Sequence, residues 1–258
     1  TAKKLELDDN IDKTGSLVWL KDRYITSHFE GYAFAIQDQE INTKHLMHKG
    51  DTDASKPPRC NNKCRLCYTN IEDITHVIGG CPRMSVRYYL PLRHDVVART
   101  IFNAIIKKNN SEKDTGPKQD EEFIQSDENM EYWWNVPIKT AANSKNNRPD
   151  IVIWDKAKKL CTVVEISCRI DVNVSSKVIE KENIYSVLMR NLQLMYKDYT
   201  FTFLPIIIGT LGYIPKSLQL NLEKLGFSKK EQKKLTRTLQ VQSVRGTVMI
   251  CKTFQKLK

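Results

Sequence analysis

Apolar and polar positions alternate in three distinct regimes along the 258 residues of the chain. Between residues 16 and 47, Leu17, Trp19, Leu20, Tyr24, Phe29, Tyr32, Phe34 and Ile36 recur at helical spacing. Gly31 marks a break there, so two helices are predicted. A polar stretch with two prolines at 51–58 leads into a cysteine cluster, and a helical pattern returns over 83–106. Residues 109–122 hold almost no apolar side chain, which predicts a mobile linker between two modules. Beyond it come Tyr132 to Ile138, two β-type runs at 151–155 and 160–167, a helix over 175–197, a strand at 201–208, and helices at 215–225, 228–239 and 243–254. Strands and helices alternating in this way predict a mixed α/β unit.

The two β-type runs are separated only by Lys156, Ala157, Lys158 and Lys159, the length of a hairpin loop. In an antiparallel hairpin closed there, residues whose numbers total 315 face each other, so Asp150 faces Glu165. Side-chain alternation puts both acids on one sheet face with Val152, Trp154, Cys161 and Val163. Like charges placed opposite one another are destabilising unless a cation or proton intervenes, and hard oxygen donors suit Mg2+ or Mn2+. An ordinary hairpin with two acids near its end fits the same residues.

A third group comes from helical periodicity. On the helix over 175–197 the apolar stripe Ile184, Leu188, Leu192 and Met195 continues backward through Lys181 to Lys177, with Tyr185 approximately on the same face. Two lysines therefore extend a core-facing stripe toward the open end of the hairpin. End-of-helix lysines reaching for water is the plainer alternative.

Composition adds charge and a second metal candidate. With 41 basic and 30 acidic residues the formal net charge is +11. Residues 224–258 alone carry ten Lys or Arg against Glu231. Lys229, Lys230, Lys233, Lys234 and Arg237 recur there at helical spacing, a surface that fits either a polyanion or plain solubility. Four of the seven cysteines lie between Cys60 and Cys81, and Cys64, Cys67, His76 and Cys81 have the count and tight spacing of a tetrahedral zinc site. Gly79 and Gly80 are expected to let the backbone turn tightly enough to bring in the fourth ligand. Cys60 reads as a spare surface thiol or one that exchanges with Cys64. Arg59, Lys63, Arg65, Arg83 and Arg87 surround the knuckle, which either grips nucleic acid or braces the fold. No run reaches the roughly eighteen apolar residues of a membrane span and the start lacks a signal-peptide core, so the chain is expected to be soluble and intracellular. It begins with Thr, as a piece of a longer protein would.

Taken in order, Arg148-Pro-Asp-Ile-Val, Glu165-Ile-Ser, Asn173-Val174, Glu180-Lys181 with Tyr185, and Leu204-Pro-Ile-Ile-Ile-Gly-Thr-Leu-Gly212 resemble the restriction-like endonuclease domain of early-branching LINE-type (non-LTR) retrotransposon proteins. Upstream, Tyr32-Ala-Phe-Ala-Ile-Gln-Asp-Gln39, the Cys-Cys-His-Cys knuckle and Arg93-His94-Asp95 with Val97-Ala98 are similar to the segment those proteins carry between reverse transcriptase and endonuclease. The resemblance implies a PD-(D/E)xK core, a mixed sheet flanked by helices, preceded by a mostly helical region with the zinc knuckle. Its implied divisions are 1–58 helical, 59–82 knuckle, 83–108 helical connector, 109–122 linker and 123–258 nuclease with basic C-terminal helices. It also implies Mg2+-dependent nicking of target DNA in the nucleus, giving a 3'-hydroxyl that primes reverse transcription. Asp150 and Glu165 would hold the ion, with Lys181, Lys177 and Tyr185 in catalytic roles. Arg148, Arg93, His94 and the basic tail would meet nucleic acid. Implied partners are target DNA, element RNA and the reverse transcriptase domain of the same polyprotein, with no membrane. Position 167, where the simplest PD-(D/E)xK pattern has lysine, is Ser, and in this family the lysine moves to the helix, at Lys181. A catalytically idle nucleic-acid-binding module derived from such an element is the alternative.

Overall fold

The computed structural model describes residues 8–23, 25–49, 61–109, 117, 121–140 and 146–257. Five strands form one mixed sheet in sequence order: β1 (Phe123–Ser126), β2 (Met130–Trp134), β3 (Ile151–Asp155), β4 (Leu160–Arg169) and β5 (Thr200–Gly209). β1 to β4 pair antiparallel, and β5 lies parallel to β4 after a helical crossover. Pro205 sits in β5 at the sheet's edge, where the N–H it lacks leaves no inner ladder incomplete. The β3–β4 register pairs Ile151 with Val164 and Asp155 with Leu160, the predicted alignment.

Both faces of the sheet are covered, as the continuous burial of β3 requires. On one face, α1 (Ser27–Gln37) and α2 (Lys44–Lys49) take no part. Instead α3 (Asp95–Asn109) buries Val97, Ala98, Ile101, Phe102, Ile105 and Ile106 against Tyr132, Trp134, Ile151, Ile153, Val164 and Ile166. The other face carries α4 (Val174–Met195), whose Tyr185, Leu188 and Leu192 pack on Val152, Cys161 and Val163. After α5 (Ser217–Lys224), α6 (Lys229–Lys256) closes the chain. The capping box of Ser228 and Glu231 starts it.

Several expectations change. The helices predicted over 228–239 and 243–254 are one 28-residue helix. Its polar middle is buried rather than broken: Gln240 Nε2 donates to the carbonyls of Gly15 and Gly212, Ser243 Oγ to Gly209 and Thr247 Oγ1 to Thr210. Gly31 lies inside α1 and ends nothing, since its surroundings are open and the helix continues through it. The helical stretch over 83–106 begins with a wide-turned π-type segment, Ser85–His94, before α3. The upstream region is no separate module, because α3 belongs to the main sheet core. The first half of α6, Leu235 and Leu239, joins that core, and its second half packs on the knuckle. Cys60, Arg59, the connector at 51–58 and most of the predicted linker at 109–122 lie outside the described residues. No helix among the described residues is long and apolar enough to cross a membrane.

Candidate active site and metal centre

Strand alternation and a helical stripe meet at the open end of the β3–β4 hairpin. Asp150 precedes β3, and its Oδ2 accepts the Ile166 N–H at 2.6 Å, which ties it to the strand opposite. Glu165 lies on the α4 face of β4 and is buried. Lys181 Nζ donates to Glu165 Oε1, and Tyr185 Oη donates to Glu165 Oε2 at 2.6 Å. Tyr185 is itself stacked on Phe203 with ring centroids 5.0 Å apart, so its hydroxyl is held in place by ring packing.

Electrostatics set the character of the pair. Burial first, and then Asp150, push the Glu165 carboxyl up to about 7, although Lys181 and Tyr185 oppose the shift. A buried acid that resists ionisation beside a second acid is a site short of positive charge. The oxygens of Asp150 and Glu165 are hard donors of the kind Mg2+ or Mn2+ takes, so the residues present fit such an ion.

The second predicted lysine goes elsewhere. Lys177 is buried and donates to Glu180 Oε1 one turn along its own helix, not to the carboxylate pair. Burial lowers its pKa. Arg148 is exposed, with Nε donating to Asn135 O at 2.8 Å and Nη2 bonded to Glu122 Oε1.

The connector supplies what periodicity missed. His94 was expected at nucleic acid, yet Nε2 lies 3.5 Å from Asp150 Oδ1 and 3.2 Å from Ile166 O, and Nδ1 lies 2.9 Å from Asp95 Oδ1. Burial lowers its pKa, but Asp150 and Asp95 outweigh this and hold it well above the usual histidine value. Its neighbour Arg93 is a correction of the same kind. It is buried, donating to Ile78 O at 2.9 Å and Thr247 Oγ1 at 3.0 Å, with its guanidinium 5.5 Å from the Tyr89 ring centroid, so no phosphate reaches it. Asp171 went unnoticed in the sequence. It is buried at the β5 exit, where Thr210 Oγ1 and the N–H groups of Leu211 and Tyr213 donate to it. Gly209 is required beside it, since a Cβ there would lie 2.0 Å from Asp171 Oδ1. The quoted Gly209-Thr-Leu-Gly212 run was the only signal of this loop.

The cysteine cluster converges as expected. The ligand atoms of Cys64, Cys67, His76 and Cys81 all lie within 4.8 Å of one another, the only such group of three or more His, Cys, Asp or Glu side chains among the described residues. Cys64 Sγ and Cys81 Sγ are 3.9 Å apart, and Cys67 Sγ and His76 Nε2 are 3.4 Å apart. Tetrahedral zinc with its usual bond lengths needs about 3.8 Å between two sulfurs and about 3.6 Å between sulfur and nitrogen. The cluster is thus compatible with zinc. The fourth ligand arrives by a π-type turn, His76–Gly80, in which Cys81 N donates to His76 O at 2.8 Å. Neither Gly79 nor Gly80 takes a left-handed conformation there, and Gly79 instead lets Ile170 approach.

Charges around the knuckle divide in two. Arg65 is committed to Glu72 at 2.6 Å and lies 4.9 Å over the Phe254 ring, which braces the knuckle on α6. Arg83 and Arg87 are exposed. In the basic tail, Lys230, Lys233 and Lys234 are exposed and Lys229 pairs with Glu223 at 2.9 Å. Arg237 departs from the expectation. It donates to Lys21 O and pairs with Asp22 at 2.8 Å, fastening α6 to the N-terminal segment. No protein-family model matches the chain, and no curated protein matches it.

Proposed function

We propose that the chain is a metal-dependent DNA endonuclease with a PD-(D/E)xK-type site, acting in the context of a LINE-type retrotransposon protein. One observation carries this reading: Glu165, Asp150 and Lys181, drawn from β4, the entry to β3 and α4, converge at one end of the hairpin. Asp150 and Glu165 are the residues that would hold Mg2+ or Mn2+. A bound ion there supplies Lewis acidity to a phosphodiester and makes water a usable nucleophile near neutral pH. Lys181 offsets negative charge developing on the phosphate and orients Glu165. Tyr185 fixes the second Glu165 oxygen, so the carboxylate has one rotamer and one direction. The exposed Lys230, Lys233 and Lys234 supply attraction for phosphate backbone without base preference, and Cys64, Cys67, His76 and Cys81 would hold Zn2+ as a structural ion. Target-primed reverse transcription, element RNA and nuclear residence belong to this reading as its biological setting.

The test is nicking of supercoiled plasmid in Mg2+ or Mn2+ by the wild-type chain beside Asp150→Ala. Relaxed circles that appear with the wild type and fall at least a hundredfold with the variant are expected. Equal behaviour of the two proteins sinks the enzymatic reading and leaves a nucleic-acid-binding module.

A further inference from the structure

The carboxylate site contains one side chain that the nuclease reading leaves without work. His94 ends the π-type segment, far in sequence from the hairpin, and both of its ring nitrogens are engaged. Asp95 Oδ1, 2.9 Å from Nδ1, holds the ring so that Nε2 faces the hairpin. Nε2 meets only oxygens there. Ile166 O is 3.2 Å away and Asp150 Oδ1 is 3.5 Å away. Either a proton on Nε2 or a cation in its place joins Nε2 to the two oxygens.

Spacing admits a cation. Neighbouring ligands of an octahedral ion at 2.0–2.2 Å lie about 3 Å apart, against the 3.2 Å and 3.5 Å that separate Nε2 from the two oxygens. The three atoms are also well supported. Ile166 offers its carbonyl from the same residue whose N–H binds the other Asp150 oxygen, so strand and carboxylate form one unit. A metal-bound imidazole ordinarily has a carboxylate on its second nitrogen, and Asp95 is in that place.

We propose that His94 is a metal ligand, its Nε2 joining Asp150 Oδ1 and the Ile166 carbonyl to form an N,O,O face for one divalent cation. The proposal rests on the nuclease reading for the identity of the site and adds a nitrogen donor to it. Glu165, held by Lys181 and Tyr185, remains the second carboxylate of the site. Nitrogen shifts the preferred ion, because imidazole binds manganese and later transition metals better than magnesium, whereas carboxylate and carbonyl oxygens accept either. The site therefore favours Mn2+ over Mg2+ by virtue of His94, and the helical connector is part of the metal site rather than a grip on DNA.

Electron spin-echo measurements on the zinc-loaded chain with one equivalent of Mn2+ test this directly. Coupling of the bound Mn2+ to an imidazole 14N is expected in the wild type, and is lost in both Asp150→Ala and His94→Gln. Titration should show Mn2+ binding weakened about 10–100-fold in His94→Gln and Mg2+ binding weakened less. Absence of 14N coupling in the folded wild-type protein overturns the proposal without reference to any variant. So does Mn2+ affinity unchanged in His94→Gln. Plasmid nicking by the same preparations separates the two claims: nicking without 14N coupling removes the ligand alone, and 14N coupling without nicking removes the nuclease while His94 keeps its place.

Discussion

Glu165 is poised between two opposite pressures, and their balance has a thermodynamic signature. Burial and Asp150 favour the protonated acid, while Lys181 and Tyr185 favour the carboxylate, and the result is a pKa of about 7 against an ordinary 4.5. Because the folded state binds this proton more tightly than the unfolded state, the associated stability is complete below about pH 4.5 and is lost as pH rises toward 7. At about 1.4 kcal/mol for each pH unit, the loss is bounded by roughly 3 kcal/mol. Glu165→Gln carries no titrating group at this position. Its melting temperature relative to wild type should therefore climb between pH 5 and pH 8 without added divalent ions, by several degrees for a protein this size. Thermal melts of the two proteins across that range measure it, and a gap that does not change with pH rules out the raised carboxyl. Comparing the pair also subtracts the titration of Asp171, whose buried carboxyl is pushed up to about 6.

Among the elements, α6 makes the sharpest demand on side-chain size. Gly246 lies in its middle, and a Cβ there would stand 2.4 Å from Leu92 O and 2.8 Å from Arg93 Cβ. Helix propensity alone says Gly246→Ala should stabilise by about 1 kcal/mol. The close approach of the π-type segment reverses the sign. Denaturant unfolding should show Gly246→Ala less stable by about 1–3 kcal/mol, as overpacking costs, and a stabilised variant would mean the two helices separate freely. The same contact explains which parts of the structure the sequence made readable. Asp150, Glu165 and Lys181 were readable together because strand alternation and the helical repeat are local, and a four-residue loop fixes the register. His94, Arg93 and Arg237 were not, because their partners Ile166, Thr247 and Lys21 are set by packing between distant segments. Lys177 misled because a stripe locates a side chain on a face without naming its acceptor, and Glu180 is one turn away. The break predicted between 239 and 243 is absent because Gln240 and Ser243 are buried in hydrogen bonds to the 209–212 loop, and buried polar side chains look the same in sequence as exposed ones.

Taken as a whole, the molecule is interlocked rather than modular, and the zinc-compatible cluster is where that can be measured. Cys64 and Cys81 are buried in a core that also contains Val244, Val248, Cys251 and Phe254 of α6, while Leu235 and Leu239 of the same helix belong to the sheet core. α3 makes the second link, since it follows directly on the segment carrying Tyr89, whose hydroxyl accepts the Cys81 N–H at 3.1 Å and donates to Val77 O at 2.8 Å. If zinc joins the four ligands, its removal leaves three crowded thiols and an imidazole with nothing to hold them together. That disturbance reaches the sheet through two helices. Stripping zinc from the zinc-loaded protein with a chelator should lower the melting temperature of the entire protein in one cooperative transition, with amide exchange accelerating along α6 as well as in the knuckle. Replacing Cys67 by Ser, which removes the most accessible thiolate, should reproduce the effect without chelator. Two separate transitions, with the sheet melting at its original temperature, would mean that the knuckle folds alone and that α6 and α3 carry no coupling between the cores.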